Sequence, residues 1–345
     1  MVTREYLAEE IAEQPAVVAD LIAGAAEPVA NAAAAARAAR VSSVLVAARG
    51  TSDNVARYAQ HIFGRLLRLP VALATPSLTT LYGASPRLER TLVIGISQSG
   101  ESPDVGAVVA DARAQGQPTI AVTNAPRSPL ASAAEHVIDI GAGVERSVAA
   151  TKTYTASLAA VALLAAALAD DDALGEDLAA VPAAMAEQVA RDVAGGARVL
   201  DGVDRCVVAG RGPNYATAFE GALKLKELTG VAAEPFSPAD LMHGPLAVLE
   251  PATPLLAVAV AGPALDSVLA AVRAARERSA PCLVLADVPP AAPPGCEEIR
   301  LAPVAEWLSP LVAILPLQAI AARLARARGV AADAPFGLTK VTRTV

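Results

Sequence analysis

SVLVAARGTSDNVARYA, residues 43–59, decides the fold once it is set beside RCVVAGRGPNYATAFEG, residues 205–221. Each opens on a short apolar run rich in valine, turns on Arg-Gly and continues into a helix-forming stretch, so each reads as strand, turn and helix. Shifted by nearly the same amount, TLVIGIS (91–97) meets PLLAVAV (254–260), and PTIAVTNAP (118–126) meets PCLVLADVP (281–289). Three strands in register at a near-constant offset describe a duplication. Around them the first copy predicts strands at 44–48, 71–75, 92–97, 118–123 and 136–140, with helices at 53–67 and 151–169. Strands alternating with helices give an α/β class: two tandem domains, each a mainly parallel sheet flanked by helices. The expected divisions are N-terminal helices over 1–40, broken near Pro15 and around 24–28, a first domain over 41–196, a second over 197–328, and a tail over 329–345. In that tail Leu338, Val341 and Val345 imply that it docks rather than hangs free.

The copies differ where chemistry is expected. TLVIGISQSGES (91–102) runs a buried strand directly into a hydroxyl-rich turn, and Ser102-Pro103-Asp104 reads as an N-cap, a proline at the first helical position and an acid in the first turn. Free N–H groups and the positive end of that helix, with the hydroxyls of Ser97, Ser99 and Ser102, form a cradle for an anion, best matched by phosphate. An ordinary capped βα turn is the competing reading. Opposite SQSGES the second copy has AGPALD, without the hydroxyls.

Composition narrows the function. The chain has 345 residues, enough for two domains with real cores, and a net charge of -7 without a basic run, which argues against a nucleic-acid surface. At 3% aromatic residues it is poorly supplied for stacking on bases or planar cofactors. Cys206, Cys282 and Cys296 follow no metal or disulfide spacing, and the acidic start MVTREYLAEEIAEQP is unlike a signal peptide, so a soluble cytoplasmic protein is expected. The apolar run 156–169 reads as a buried helix, too short for a membrane span. No metal-ligand pattern occurs, and ARGTSDN is too unlike GxGxxG for a dinucleotide site.

Two further segments could carry chemistry. FEGALKLKELTG (219–230) spaces Glu220, Lys224 and Glu227 by four and three, on one helical face, with Lys226 elsewhere. Such a face is commonly a solvated ion pair. Here the helix follows the second Arg-Gly turn and starts near the carboxyl ends of the strands, where open α/β sheets bind ligands. A carboxylate beside a lysine there can shuttle a proton between neighbouring carbons of a sugar. His243, in SPADLMHGPLAVLE (237–250), lies at the end of a short helix started by Ser237-Pro238 and stopped by Gly244-Pro245. His61 and His136 read as structural.

Taken in order, ARGTSDN (48–54), ISQSGESPD (96–104), GVERSVAATKTYT (143–155), GRGPNYATAFEGALKLKE (210–227), HGPLAVLE (243–250) and DAPFGLTKVTRTV (333–345) resemble the sugar isomerase (SIS) family. The likeness is strongest to the isomerase half of glucosamine-6-phosphate synthase and to the related glucosamine-6-phosphate deaminases. The resemblance implies that Thr51, Ser52, Ser97, Gln98, Ser99 and Ser102 hold a sugar phosphate and that the loop with Val148 and Ala150 lines the sugar, Ala150 replacing a serine. It implies Glu227 as the base moving a proton between C1 and C2, Lys224 as its companion near O1 and O2, and His243 as the ring-opening acid/base supplied across a homodimer. It implies Lys340 as a lysine able to form a Schiff base with the open-chain ketose, while Phe336 stands where relatives commonly carry arginine. The chain as given begins MVTREY, without the glutaminase domain of the synthase, so glutamine-dependent synthesis is not expected. The leading expectation is conversion of glucosamine 6-phosphate to fructose 6-phosphate and ammonia, with no cofactor. Two alternatives stay open: a lyase or dehydratase eliminating the C3 oxygen of an N-acetylhexosamine phosphate, and a sugar-phosphate sensor without turnover.

Overall fold

In the computed structural model residues 5–289, 292–335 and 337–340 are described. Phe336, Val341 and Val345, all singled out in the sequence, lie outside them. The chain divides into two compact units, one of residues 16–145, 152–179 and 339–340, the other of residues 5–15, Arg146–Thr151 and Ala180–Leu338.

The first unit is built on β1 (Ser43–Ala47), β2 (Val71–Leu73), β3 (Thr91–Ile96), β4 (Thr119–Thr123) and β5 (His136–Asp139). All pairings are parallel and the order is β2-β1-β3-β4-β5. The second unit carries β6 (Arg205–Ala209), β7 (Ala232–Phe236), β8 (Leu255–Ala259), β9 (Cys282–Ala286) and β10 (Glu297–Arg300), again all parallel, in the order β7-β6-β8-β9-β10. Renumbered within its own copy each sheet has the same order, which is the structural counterpart of the sequence repeat. Every residue of the central strands β3, β4, β8 and β9 is buried, as expected where helices cover both faces of a parallel sheet.

Helices complete the chain: α1 (Tyr6–Gly24), α2 (Ala26–Ala38), α3 (Thr51–Leu67), α4 (Pro76–Thr80), α5 (Pro103–Ala114), α6 (Pro129–Ala133), α7 (Lys152–Ala169), α8 (Asp172–Val189), α9 (Ala194–Val199), α10 (Asn214–Thr229), α11 (Pro238–Met242), α12 (Leu265–Glu277) and α13 (Ser309–Ala327). In the first core α5 and α6 lay Val105, Val109 and Leu130 on Val93 and Ala121, and in the second α12 lays Val268 and Val272 on Leu255, Ala257 and Val284.

Two expectations are corrected. Pro15 does not interrupt the first helix, which is continuous from Tyr6 to Gly24. A proline leaves the carbonyl four residues earlier without its N–H donor. Here that carbonyl belongs to Ile11, and Gln14 Nε2 donates to it at 3.1 Å while also donating to Gln318 Oε1 at 2.8 Å. The second correction concerns length: α7 and the segment Glu306–Ala327 are both long and apolar enough to cross a membrane. Their apolar surface is instead used internally, with 78% and 89% of the respective windows buried.

Among its described residues the tail is docked through Asp333 and Pro335. Asp333 caps α1 from the far end of the chain, its carboxylate accepting from Tyr6 N at 3.0 Å and Leu7 N at 2.7 Å. Pro335 is buried, whereas Leu338 is 42% exposed.

Replacing Gln14 by Leu leaves the buried Ile11 carbonyl unsatisfied and is expected to cost about 1–3 kcal/mol, read as a lower urea midpoint. A midpoint equal to the wild type's would contradict this account of the uninterrupted helix.

Candidate active site

In both sheets the order reverses between two neighbouring strands, β1 and β3 in one and β6 and β8 in the other. The turns leaving those strands diverge at such a reversal and open a crevice at the carboxyl edge. Thr51, Ser52 and residues 97–102 sit on these turns or at the helix starts they feed, Lys224 and Glu227 lie toward the C-terminal end of α10, which the β6 turn feeds, and Val148, Ala150, His243 and Lys340 lie on other segments.

In the first unit Thr51 and Ser52 form the opening of α3, after Gly50 at φ +56. Thus they belong to a second helix N-terminus rather than to the preceding turn. Residues 97–102 link β3 to α5. Ser97 Oγ accepts from Gly100 N at 3.2 Å, and Ser99 Oγ accepts from Glu101 N at 3.3 Å. Each hydroxyl has spent lone pairs on its own loop and keeps its O–H to donate, the polarity an anion requires. Ser102 occupies the N-cap position of α5, but its side chain makes no capping bond, so its hydroxyl is not consumed there. The Gln98 carbonyl fixes the loop by accepting from Asn124 N at 3.1 Å. Gly100 has φ +65, and a Cβ there would lie 1.9 Å from Ser128 Oγ, so glycine is required both by conformation and by space.

Arg49 of the Arg-Gly turn and Asp104, the acid in the first turn of α5, brace this loop. Asp104, buried in the first turn of α5, accepts from Thr80 Oγ1 at 2.9 Å and from Arg49 Nε at 3.1 Å, and Arg49 Nη2 joins the same carboxylate. The equivalent arginine of the second copy, Arg211, donates to Ser267 Oγ on α12 at 2.6 Å. At the corresponding turn the Glu306 side chain packs against Gly262, 3.0 Å from where a Cβ would stand. The second copy therefore sets a carboxylate side chain at the place where the first has the hydroxyl turn.

On α10 the i, i+4 and i, i+3 spacing closes into a cluster. Lys224 Nζ lies 2.6 Å from Glu227 Oε2 and 3.3 Å from Glu220 Oε1. The solvated-face reading is excluded by burial: the side chains of Glu220 and Lys224 are 0% and 1% exposed, while Glu227 is 25% exposed. Gly221 lets α13 close over this helix, since a Cβ there would stand 2.6 Å from Leu317 Cδ1. Burial by itself pushes the Lys224 ammonium toward deprotonation; Glu220 and Glu227, by charge and hydrogen bonding, outweigh it and hold its pKa above the ordinary lysine value. Glu227 is thus the accessible end of a buried charge chain. It faces a cavity of about 410 Å³ that Thr229, Val330 and Pro335 also line.

The other candidates are distributed as follows. His243 ends α11 and is exposed, followed by Gly244 at φ +137. Val148 and Ala150 are half-buried, and Val148 N donates to Asp333 O at 3.0 Å. Lys340 Nζ lies 2.6 Å from Glu145 Oε2, a carboxylate that is fully buried. The motif containing Glu145 was legible, but its pairing across 195 residues was not. Glu220, Lys224, Glu227 and His243 belong to one unit; the hydroxyl loop, Glu145 and Lys340 belong to the other.

A family model of the SIS domain matches residues 39–167 and 200–294. The isomerizing glutamine–fructose-6-phosphate aminotransferase of Gloeobacter violaceus is 34% identical over 98% of this chain and 58% of its own length, so the chain spans little more than half of that relative. Among solved structures, a protein designated as a phosphosugar isomerase from Silicibacter pomeroyi DSS-3 superposes with a TM-score of 0.89 at 34% identity, covering 96% of this chain and all of that one. The C-terminal domain of glucosamine-fructose-6-phosphate aminotransferase from Francisella tularensis shares the fold, with a TM-score of 0.87 at 24% identity over 97% of this chain and 99% of that one.

Lys224→Met would remove the cation that Glu220 and Glu227 share in the interior and is expected to destabilise the protein by about 3 kcal/mol. Because the folded pKa of Lys224 is raised, its contribution is fully present below the reference value of 10.5 and is lost as pH rises through the folded value. Denaturation midpoints of wild type and variant should therefore stay apart at neutral pH and converge only in strong alkali. Equal midpoints at pH 7 would contradict the assignment.

Proposed function

The chain belongs to the SIS domain family, and from that premise we propose that it is an isomerase/deaminase of an amino-sugar 6-phosphate, converting glucosamine 6-phosphate and water to fructose 6-phosphate and ammonia. The observation that carries the reading is the buried Glu220–Lys224–Glu227 chain with a single solvent-reaching carboxylate at its end.

Opening of the sugar ring exposes a carbonyl at C1 and makes the C2 proton acidic. Glu227 removes that proton and returns it at C1, which yields the C2 imine of the ketose; water then displaces nitrogen as ammonia. Lys224 is almost wholly enclosed, so it acts through Glu227: its N–H donors fix the carboxylate and offset the charge of Glu220. Thr51, Ser52, Ser97, Gln98, Ser99 and Ser102 take the 6-phosphate. Two adjacent helix N-termini, α3 and α5, and hydroxyls with unspent O–H donors support that assignment. Val148 and Ala150 line the sugar, and Lys340 offers its amine to the open-chain ketose. His243 is the ring-opening group. Its exposure, beside Met242 and Val248 at 48% and 41%, supports presentation to a second copy in a homodimer.

The relatives' names support the substrate class, since the aminotransferase acts at fructose 6-phosphate and is isomerizing. The test is product analysis with a panel of hexosamine 6-phosphates. Ammonia and fructose 6-phosphate in equal amounts from glucosamine 6-phosphate are expected. An ultraviolet-absorbing unsaturated product from N-acetylglucosamine 6-phosphate, or no product from any member of the panel, would overturn the reading.

A further inference from the structure

Glu145 has no place in the proton-transfer chemistry, yet it is a carboxylate with 0% side-chain exposure. A buried carboxylate is costly unless its oxygens are met by donors and its charge by a cation. Two donors come from one residue in the first turn of α7: Thr153 N reaches Glu145 Oε1 at 3.1 Å, and Thr153 Oγ1 reaches Oε2 at 2.7 Å. Set against that helix start, the carboxylate sits where the α7 dipole favours negative charge and is held in one orientation. The cation comes from far along the chain: Lys340 Nζ donates to Oε2 at 2.6 Å. Lys340 keeps 23% of its side chain exposed, so the ammonium is held at the boundary of the interior instead of being enclosed.

We infer that Glu145 is the positioning residue for Lys340: anchored to the start of α7 by Thr153, it captures the lysine of the C-terminal tail and fixes where that amine stands. The binding energy of a charge-assisted hydrogen bond to a buried, pre-oriented acceptor supplies the hold. No covalent step is involved. That the positioned amine serves turnover rests on the proposed function; that Glu145 holds the tail does not.

The experiment follows carboxypeptidase trimming of the full-length protein by intact-mass spectrometry, together with turnover of glucosamine 6-phosphate. Trimming past position 340 tracks the population of released tail. In Glu145→Gln and in Lys340→Met it is expected to be roughly 10-fold faster or more than in wild type, and no faster in the double variant, because each change removes the same contact. Lys340→Arg keeps a cation for Glu145 and should retain wild-type trimming while losing turnover, and Glu145→Gln should lower kcat more than it raises KM. Wild-type trimming in Lys340→Met overturns the inference, and that variant carries the test alone where Glu145→Gln does not fold. Full turnover by Lys340→Arg with protected trimming would leave the tether standing and remove the amine from the proposed chemistry. Absence of turnover in every variant and in wild type would refute the proposed function while the trimming result stands.

Discussion

A parallel sheet that starts from an interior strand and grows first to one side and then to the other must open where its direction of growth reverses. Both halves of this chain obey that constraint, at β1/β3 and at β6/β8. Turns from the reversal points feed α3 and α5 in one copy and α10 and α12 in the other, so the helix N-termini and the first turns of these helices are the places where ligand-binding groups can be added without disturbing the core. Gly100 illustrates how tightly such a turn is specified: its positive φ and the 1.9 Å approach to Ser128 leave no room for another residue. The duplication then allowed the copies to separate their tasks. One kept a hydroxyl turn; the other covered the corresponding turn with Glu306 and developed a charged helix face.

Burial is what sets that charged face apart from a surface ion pair. Glu220, Lys224 and Glu227 have the spacing of countless exposed ion pairs, whose contribution is small. Enclosing the first two changes the balance, because neither charge can then be released to water separately, and the third is left as the solvent-reaching end. The same logic applies to Glu145, whose buried charge is met by the lysine of the tail.

Much of this was legible in the sequence. Valine- and leucine-rich runs between Gly and Pro gave the strands to within a residue or two, and the repeat gave the duplication, while the order of the strands within each sheet came from the structure. Local rules failed where a distant or neighbouring side chain replaced a missing backbone partner. Pro15 is a helix breaker unless Gln14 supplies the lost donor to Ile11, and no propensity encodes that. The capping function assigned to Ser102 is not used by its side chain, while α1 is capped by Asp333, more than three hundred residues away. Glu145 and Asp104 were invisible as functional groups for the same reason. Each is an ordinary acid in the sequence and acquires meaning only through Lys340 and Arg49 respectively.

The central claim is that Glu227 moves a proton at C2 of an amino-sugar 6-phosphate. Incubation of glucosamine 6-phosphate with the protein in D₂O, followed by NMR of the recovered sugar, tests it through return of a proton to C2 from a carboxylate that has exchanged with solvent. Deuterium at C2 with the wild type, and none with Glu227→Gln that still binds the sugar phosphate, is the predicted result. No deuterium with the wild type, or equal incorporation by both proteins, would contradict the account.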